Sequence, residues 1–264
     1  MEVERVLITG TTSGVGRGLL ELYARGGVEV ISVNRRRDRE LEAQYPSVRF
    51  ECVDVRSAEE VDRLVGALAA SGTLPDTVIL NAGINRVDND GTFDLAVYRE
   101  VVDTNLYGAL NFIAPLTRLS GPSVERHLVA ISSMVTYAGN PYGLGYRTSK
   151  RALSDCFTIW SRMYAGTDLV FKQVLLGPVR TSMFTMTDHL PAWVERGRTA
   201  LSASVAGAAS AIARFAPNRR PTLIYPARAF PVFGALALGQ RLIPGFLQGR
   251  KTLAGKPRRV AGQG

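Results

Sequence analysis

Tyr146 and Lys150 stand four residues apart in Tyr146-Arg147-Thr148-Ser149-Lys150, which puts a phenol and an ammonium one turn apart on a single helix face. A phenol with a pKa of about 10 needs roughly 4 kcal/mol of differential stabilisation to titrate near neutrality. One cation about 4 Å away supplies a term of that order in a partly screened site. The pair is therefore suited to general acid or base work on a hydroxyl/carbonyl couple. In isolation it is also a common pattern of helix surfaces. Its neighbours add weight, because Ser133 lies thirteen residues upstream in Ile131-Ser132-Ser133, at the end of an apolar run.

A second constellation opens the chain. Val6-Leu7-Ile8-Thr9-Gly10-Thr11-Thr12-Ser13-Gly14-Val15-Gly16 reads as a strand, a glycine-rich turn and the start of a helix over 15–25. Glycines there permit positive φ and let a pyrophosphate approach backbone N–H groups at the positive helix end. A site preferring NAD would carry an acid at the end of the second strand, to accept from the ribose 2′-hydroxyl. Here that strand ends Val33-Asn34-Arg35-Arg36-Arg37, with no carboxylate. Arg35 is placed to meet a 2′-phosphate through charge-assisted bonds, which points to NADP(H). Asp54 and Val55, after the third strand, are expected beside the adenine.

These residues need a scaffold that gathers loops at one edge. Short apolar runs at Val6–Thr9, Val28–Val33, Val48–Cys52, Thr77–Leu80, His127–Ile131, Val170–Leu175 and Thr222–Tyr225 read as strands covered on both faces. Helix-period stripes lie between them: Val61, Leu64, Val65 and Leu68, with Ser57 and Glu60 spaced as a capping box, and Leu153, Phe157, Trp160 and Tyr164. Alternating β and α elements imply a doubly wound α/β fold, a parallel sheet wrapped by helices. Such sheets bind ligands outside the carboxyl ends of their strands, where Ser133 and Tyr146 would share a crevice.

At 264 residues with 46% hydrophobic and 21% charged, the chain can bury a core without staples, so disorder and a disulfide scaffold are excluded. Cys52 and Cys156 read as strand and helix packing. The net charge of +9 is uneven: residues 1–195 hold 20 Lys/Arg against 23 Asp/Glu, while 196–264 hold 12 Lys/Arg and no acid. The longest uncharged run, His127–Tyr146, is broken by Ser, Asn, Gly and Pro and is no membrane span. With a strand-like run beginning at Arg5, no leader peptide is expected, and the expected location is cytoplasmic.

In this order and spacing the motifs resemble those of the short-chain dehydrogenase/reductase family. Leu80-Asn81-Ala82-Gly83, Asn105 and Gly177-Pro178-Val179-Arg180-Thr181 complete the match from Thr9 to Thr181, and the sheet-and-helix pattern extends it to about Tyr225. The resemblance implies a seven-stranded Rossmann-type sheet in the order 3-2-1-4-5-6-7 and a nicotinamide cofactor. It makes Tyr146 the proton donor or acceptor, Ser133 the holder of the substrate oxygen, and Asn105 the holder of a water in a proton relay. It has Lys150 lower the phenol pKa and bond the nicotinamide ribose. Gly10, Thr12, Ser13, Gly14, Val15, Gly16, Asn34, Arg35, Asp54 and Val55 become cofactor contacts. Asn81, Ala82 and Gly83 line the adenosine side, and Gly177, Pro178, Val179 and Thr181 the carboxamide side. Ser132 competes with Ser133, but the thirteen-residue interval to Tyr146 favours Ser133. Leu80 stands where the family usually has a second Asn, and Leu176 replaces a frequent Pro. The Val-Asp-Gly-Gly ending of many tetrameric members is missing, and helices at Asn105–Leu119 and Tyr146–Tyr164 correspond to the family's dimer faces, so a homodimer is expected.

Residues 1–228 are read as the NADP(H)-binding catalytic domain. Specificity loops are expected at Asn85–Gly91, Met134–Gly145 and Ser182–Arg198, the last a candidate lid. Met134, Tyr137, Tyr142, Met183, Phe184, Met186 and Trp193 make an apolar, aromatic set suited to a lipophilic or ring-bearing carbonyl. His189 reads as a solvated loop residue. Residues 229–264 form an apolar then basic C-terminal extension whose end is expected to lack fixed structure. It suits a flap over the substrate mouth, a subunit contact or a foot on anionic lipid. No nucleic-acid reader motif accompanies the basic charge. The expected activity is NADPH-dependent carbonyl reduction. The rivals are oxidation or epimerisation of a sugar-like alcohol, and a dinucleotide-sensing protein without chemistry.

Overall fold

In the computed structural model, which describes residues 3–86, 93–119, 125–137, 143–185, 196 and 199–242, seven strands pair in parallel. They are β1 Arg5–Thr9, β2 Glu29–Asn34, β3 Arg49–Cys52, β4 Thr77–Leu80, β5 Arg126–Ser133, β6 Leu169–Leu176 and β7 Thr222–Tyr225. Their order across the sheet is 3-2-1-4-5-6-7, so the chain reverses direction of travel between β1 and β4. That is the topological switch at which open α/β sheets form a crevice.

Both faces of the sheet are covered. Along β1, Leu7 points to one face, toward α3 (Ala58–Ala70), α5 (Gly108–Arg118) and α6 (Leu144–Met163). Val6 and Ile8 point to the other, toward α1 (Gly14–Arg25), α2 (Arg39–Gln44) and α7 (Val205–Phe215). The period of two along a strand thus feeds two separate apolar layers, which is why the inner strands read as apolar runs; the edge strands β3 and β7, expected to be covered on both faces, have no buried residue. Between β4 and α5, α4 (Leu95–Val102) continues into a π-helical turn, Asp103–Tyr107. The chain past β7 forms a 3₁₀ turn at Ala227–Ala229 and then α8, Phe230–Leu242.

Two local expectations are corrected. Ser57 does cap α3, accepting from the Glu60 N–H at 3.2 Å, but the Glu60 carboxylate reaches past the cap residue to the Asp54 N–H at 2.9 Å. The Ser57 N–H is already bonded to the Asp54 carbonyl, so only half of the capping box forms. Cys52 is exposed at the end of β3, with its thiol directed at the Arg35 carbonyl, rather than packed.

Candidate active site

The turn after β1 is built for a close approach. Gly10 has φ +72, and a Cβ there would fall 2.9 Å from the Ala82 Cα; a Cβ on Gly16 would fall 2.0 Å from the Gly10 carbonyl oxygen. Helix α1 begins at Gly14 with no side-chain cap on its first N–H groups and no acid in its first turn. Its positive end therefore remains open to an anion. Thr12 and Ser13 are exposed, and Gly14 and Val15 are partly so. A Cβ on Gly14 would stand 3.3 Å from the Thr181 Cγ2, so the loop after β6 closes against this turn.

Thr11, Ser32 and Asn34, the last expected to contact the cofactor, hold the turn in place. Buried Thr11 takes part in a network: its N–H donates to the Asn34 Oδ1 at 2.8 Å, and its hydroxyl is hydrogen-bonded to that of Ser32 at 2.6 Å. The Asn34 amide donates to both hydroxyls, at 2.9 and 3.0 Å. Asn34 is thus turned beneath the glycine loop and spends its side chain holding it. Arg35 and its neighbours lie at the surface beyond. Arg37 is paired with Glu42 at 2.6 Å, while Arg35 and Arg36 have no ion pair among the described residues. Asp54 is gripped by Arg56 at 2.6 Å, and that hydrogen-bonded cation holds its carboxyl below the usual range. Val55 is buried, and its Cγ2 would lie 2.7 Å from a Cβ on Gly108, so it packs on α5.

A second set of bonds joins β4 to the same edge. The Thr9 hydroxyl accepts from the N–H groups of Asn81 and Ala82, at 3.0 and 2.9 Å, and the Asn81 amide donates to the Gly10 carbonyl at 2.8 Å. The Asn105 side chain, fully buried in the π turn, accepts from the Ile84 N–H at 2.7 Å and donates to the Ile84 carbonyl at 2.9 Å. It also donates to the Ser149 hydroxyl at 3.2 Å, and Ser149 donates to the Tyr146 carbonyl at 2.9 Å. Asn105 thereby fixes α6 to the loop after β4. Gly83 is pressed against this junction: a Cβ there would meet the Asn105 Oδ1 at 3.1 Å and the Lys150 Nζ at 3.4 Å.

Ser133, Tyr146 and Lys150 come together at the carboxyl end of β5. Ser133 ends the strand, its hydroxyl donating to the Leu176 carbonyl and accepting from the Val135 N–H, both at 3.3 Å, within reach of the Tyr146 phenol. Burial pushes the Tyr146 phenol above its ordinary value, and the Ser133 hydroxyl works against that rise. Lys150 is only 4% exposed, and burial lowers its ammonium to about 8. Its Nζ donates to the Ile131 carbonyl at 2.7 Å and lies 5.9 Å from the centre of the Tyr146 ring. Among the described residues the protein leaves the phenol protonated at neutral pH. Ser132 points to the other side of the strand, bonding the Ser154 hydroxyl at 2.7 Å and the Lys150 carbonyl at 3.0 Å. It anchors α6 and does not face the crevice.

The loop after β6 brings Gly177, Pro178, Val179 and Thr181 to the same edge. Val179 forms an isolated bridge with Ala203, and the Gly177 N–H bonds the Tyr225 carbonyl at 2.8 Å. Met134 is buried beneath this loop, 3.2 Å from the position of a Cβ on Gly177, while Tyr137 is exposed. Tyr142, Met186, His189 and Trp193 lie outside the described residues, as do the Phe184 side chain and most of the three specificity loops.

A parallel sheet in this order, a glycine turn under an open helix end and a Ser–Tyr–Lys cluster at one crevice define an NAD(P)-dependent oxidoreductase of the short-chain type. The model of the short chain dehydrogenase family matches residues 4–190, and the chain belongs to that family. It is 32% identical over 203 residues to an uncharacterized oxidoreductase of Myxococcus xanthus, covering 72% of this chain and 78% of that one. It is 30% identical over 189 residues to 11-beta-hydroxysteroid dehydrogenase A of Sesamum indicum, covering 67% and 53% respectively. In fold it is similar to a short chain dehydrogenase from Burkholderia cenocepacia in complex with NADP, with a TM-score of 0.73 and 22% identity over 92% of this chain and 98% of that one.

Proposed function

We propose that the protein is an NADPH-dependent carbonyl reductase acting on a lipophilic or ring-bearing ketone. The observation that carries this reading is the Ser133–Tyr146–Lys150 cluster, in which the phenol is held protonated beside a buried cation. A protonated phenol is the form required to give a proton to a carbonyl oxygen. When bound, the reduced nicotinamide supplies the hydride.

The chain's own residues then have separable tasks. Ser133 donates a hydrogen bond to the substrate oxygen and orients it toward the phenol. Tyr146 gives up its proton as negative charge develops on that oxygen. Lys150, still cationic at neutral pH, stabilises the phenolate and holds the ribose side of the cofactor. Asn105 keeps the loop after β4 and helix α6 in register, and carries the relay water through this junction. Gly10 and residues 12–16 receive the pyrophosphate. Asn81, Ala82, Gly83, Asp54 and Val55 border the adenosine, and Gly177, Pro178, Val179 and Thr181 the carboxamide.

Arg35 recognises the 2′-phosphate, because Arg37 is committed to Glu42 and Asn34 is turned inward. The name of the sesame relative, a hydroxysteroid dehydrogenase, supports a lipophilic ring system. Residues 1–228 carry all these groups, and the helical faces at 105–119 and 146–164 serve a homodimer.

A paired fluorescence titration with NADPH and NADH tests the cofactor reading. NADPH should bind more tightly, and Arg35→Ala should reduce the preference by about 10- to 100-fold. An unchanged preference would remove Arg35 from the role. Tighter NADH binding by the wild type would move the reading toward alcohol oxidation.

A further inference from the structure

Arg180 and Arg228 come from different loops and meet on one residue. The Arg180 Nη1 donates to the Ser202 hydroxyl at 3.2 Å and to the Ser202 carbonyl at 3.5 Å, and the Arg228 Nη2 donates to the same carbonyl at 2.9 Å. Ser202 is a fixed post, 3% exposed, with its hydroxyl and N–H both donated to the Thr199 carbonyl, at 2.8 and 3.2 Å. The backbone beside it is tied to the loop after β6: the Arg180 N–H bonds the Ala203 carbonyl at 3.0 Å, and the Ala203 N–H that of Pro178 at 2.9 Å. Both arginines are exposed, and neither pairs with an acid among the described residues, whereas Arg37, Arg56 and Arg151 each do. Each guanidinium has five N–H donors, so a shared neutral oxygen leaves most of them unspent. Two like charges gathered on it repel each other, and an anion placed between them turns that repulsion into attraction.

The pair stands beside the crevice. Leu201, directly before Ser202, packs on Met134, Leu175 and Ala229. Met134 follows Ser133 and Ala229 follows Arg228, so the guanidinium groups border the apolar floor next to Ser133. We propose that Arg180 and Arg228 bind an anionic group, a carboxylate or a phosphate, carried by the substrate. The subsite rests on the carbonyl-reductase reading and narrows it to an amphipathic ketone, lipophilic in its body and charged at one end. Planar guanidinium groups suit both oxyanions through paired N–H bonds. The cofactor's phosphates are the other source of an anion at this edge. The glycine turn already offers them the open end of α1, against which Thr181 closes and Arg180 does not.

Calorimetry on the full-length protein saturated with NADP⁺ tests the subsite, because binding is read whether or not the ketone is turned over. The probes are lipophilic cyclic ketones with a side chain of increasing length that ends in a carboxylate, a phosphate or a neutral methyl ester. At the best length the wild type should bind an anion at least about tenfold more tightly than the ester, with the margin shrinking at high salt. Arg180→Met/Arg228→Met should bring the anions to within about twofold of the ester, with ester and NADPH affinities unchanged. If the double variant fails to fold, Arg228→Lys replaces it, with an expected loss of about threefold in the margin. Equal affinity of anion and ester in the wild type, or no binding of either, would overturn the proposal. So would a margin that survives the double variant. Loss of NADPH affinity together with the margin would assign the pair to the cofactor's phosphates instead. Anions bound through the arginines but never reduced would support the subsite and contradict the reductase reading alone.

Discussion

Lys150 and Lys172 are both buried against the same pair of strands, β5 and β6, at opposite ends of them. Lys172, 0% exposed, has its Nζ 2.9 Å from the His127 Nδ1, 3.2 Å from the Phe215 carbonyl and 2.7 Å from that of Asn218, and it also bonds the Ala216 carbonyl. The Phe215 and Ala216 carbonyls lie at the C-terminal end of α7 and that of Asn218 just beyond it, so the ammonium closes a helix C-terminus from inside the protein. His127 in turn lies 2.8 Å from Glu125, which pairs with Arg219 at the surface. Lys150 has one carbonyl partner among the described residues, Ile131, and faces the crevice. Burial lowers both ammonium groups, Lys172 to about 7 and Lys150 to about 8. Desolvation alone therefore does not distinguish a fastener from a reactive-site group. The distinction is whether the donors are already spent.

The largest expected effect is on the crevice side. Lys150→Met should lower the rate of carbonyl reduction by about 10²- to 10⁴-fold, while the melting temperature moves little. Steady-state kinetics beside a thermal melt would show this, and a large loss of stability with retained turnover would invert the comparison. Lys172→Met should do the reverse. It takes the ammonium from the Ala216 and Asn218 carbonyls and the His127 Nδ1, while the Phe215 carbonyl keeps the Asn218 N–H. That loss costs about 2–4 kcal/mol and about 5–15 °C in melting temperature, with kcat unchanged within about twofold.

A smaller effect sharpens the same contrast through pH. His127 is pushed down to about 4 by burial and by Lys172, so from about 4 to its ordinary value near 6.5 the unfolded chain holds a proton that the folded one does not. Stability should rise with pH across that window. Lys172 is also depressed, so the cost of burying its charge is full below about 7 and is relieved as pH rises from there toward the ordinary lysine value. Melting temperatures should therefore climb from pH 4 to 8. Lys172→Met should remove the upper part of the climb; an equally steep profile in that variant would separate Lys172 from the pH response.

Much of this was legible in the chain. All seven strands fall within a residue or two of the runs that mark them. The inner strands do so because a strand covered on both faces has no polar side to hide, whereas the edge strands β3, Arg49-Phe50-Glu51-Cys52, and β7 have no buried residue and are not covered on both faces. β5 extends beyond its apolar run to Arg126 at one end and Ser132 and Ser133 at the other, since ladder bonds with β6 use backbone groups whatever the side chain. The glycine turn and the Tyr–Lys pair carry fixed spacings and were read directly. The orientation of Asn34 was not, because the inward turn depends on hydroxyls at Thr11 and Ser32 that only the folded sheet brings near. The π turn around Asn105 likewise leaves no mark in apolar periodicity. Lys172 reads as an ordinary strand residue, and its partners arrive from the end of α7, 43 or more residues later. Short motifs show what does the chemistry; long-range polar networks show what holds it in place.

The most direct test of the proposed chemistry is the turnover of Tyr146→Phe with NADPH and a lipophilic cyclic ketone, measured beside its NADPH affinity. The account predicts turnover reduced by at least about 10³-fold with cofactor affinity within about threefold of wild type. Retained turnover would show that another group gives the proton and would remove Tyr146 from the centre of the mechanism.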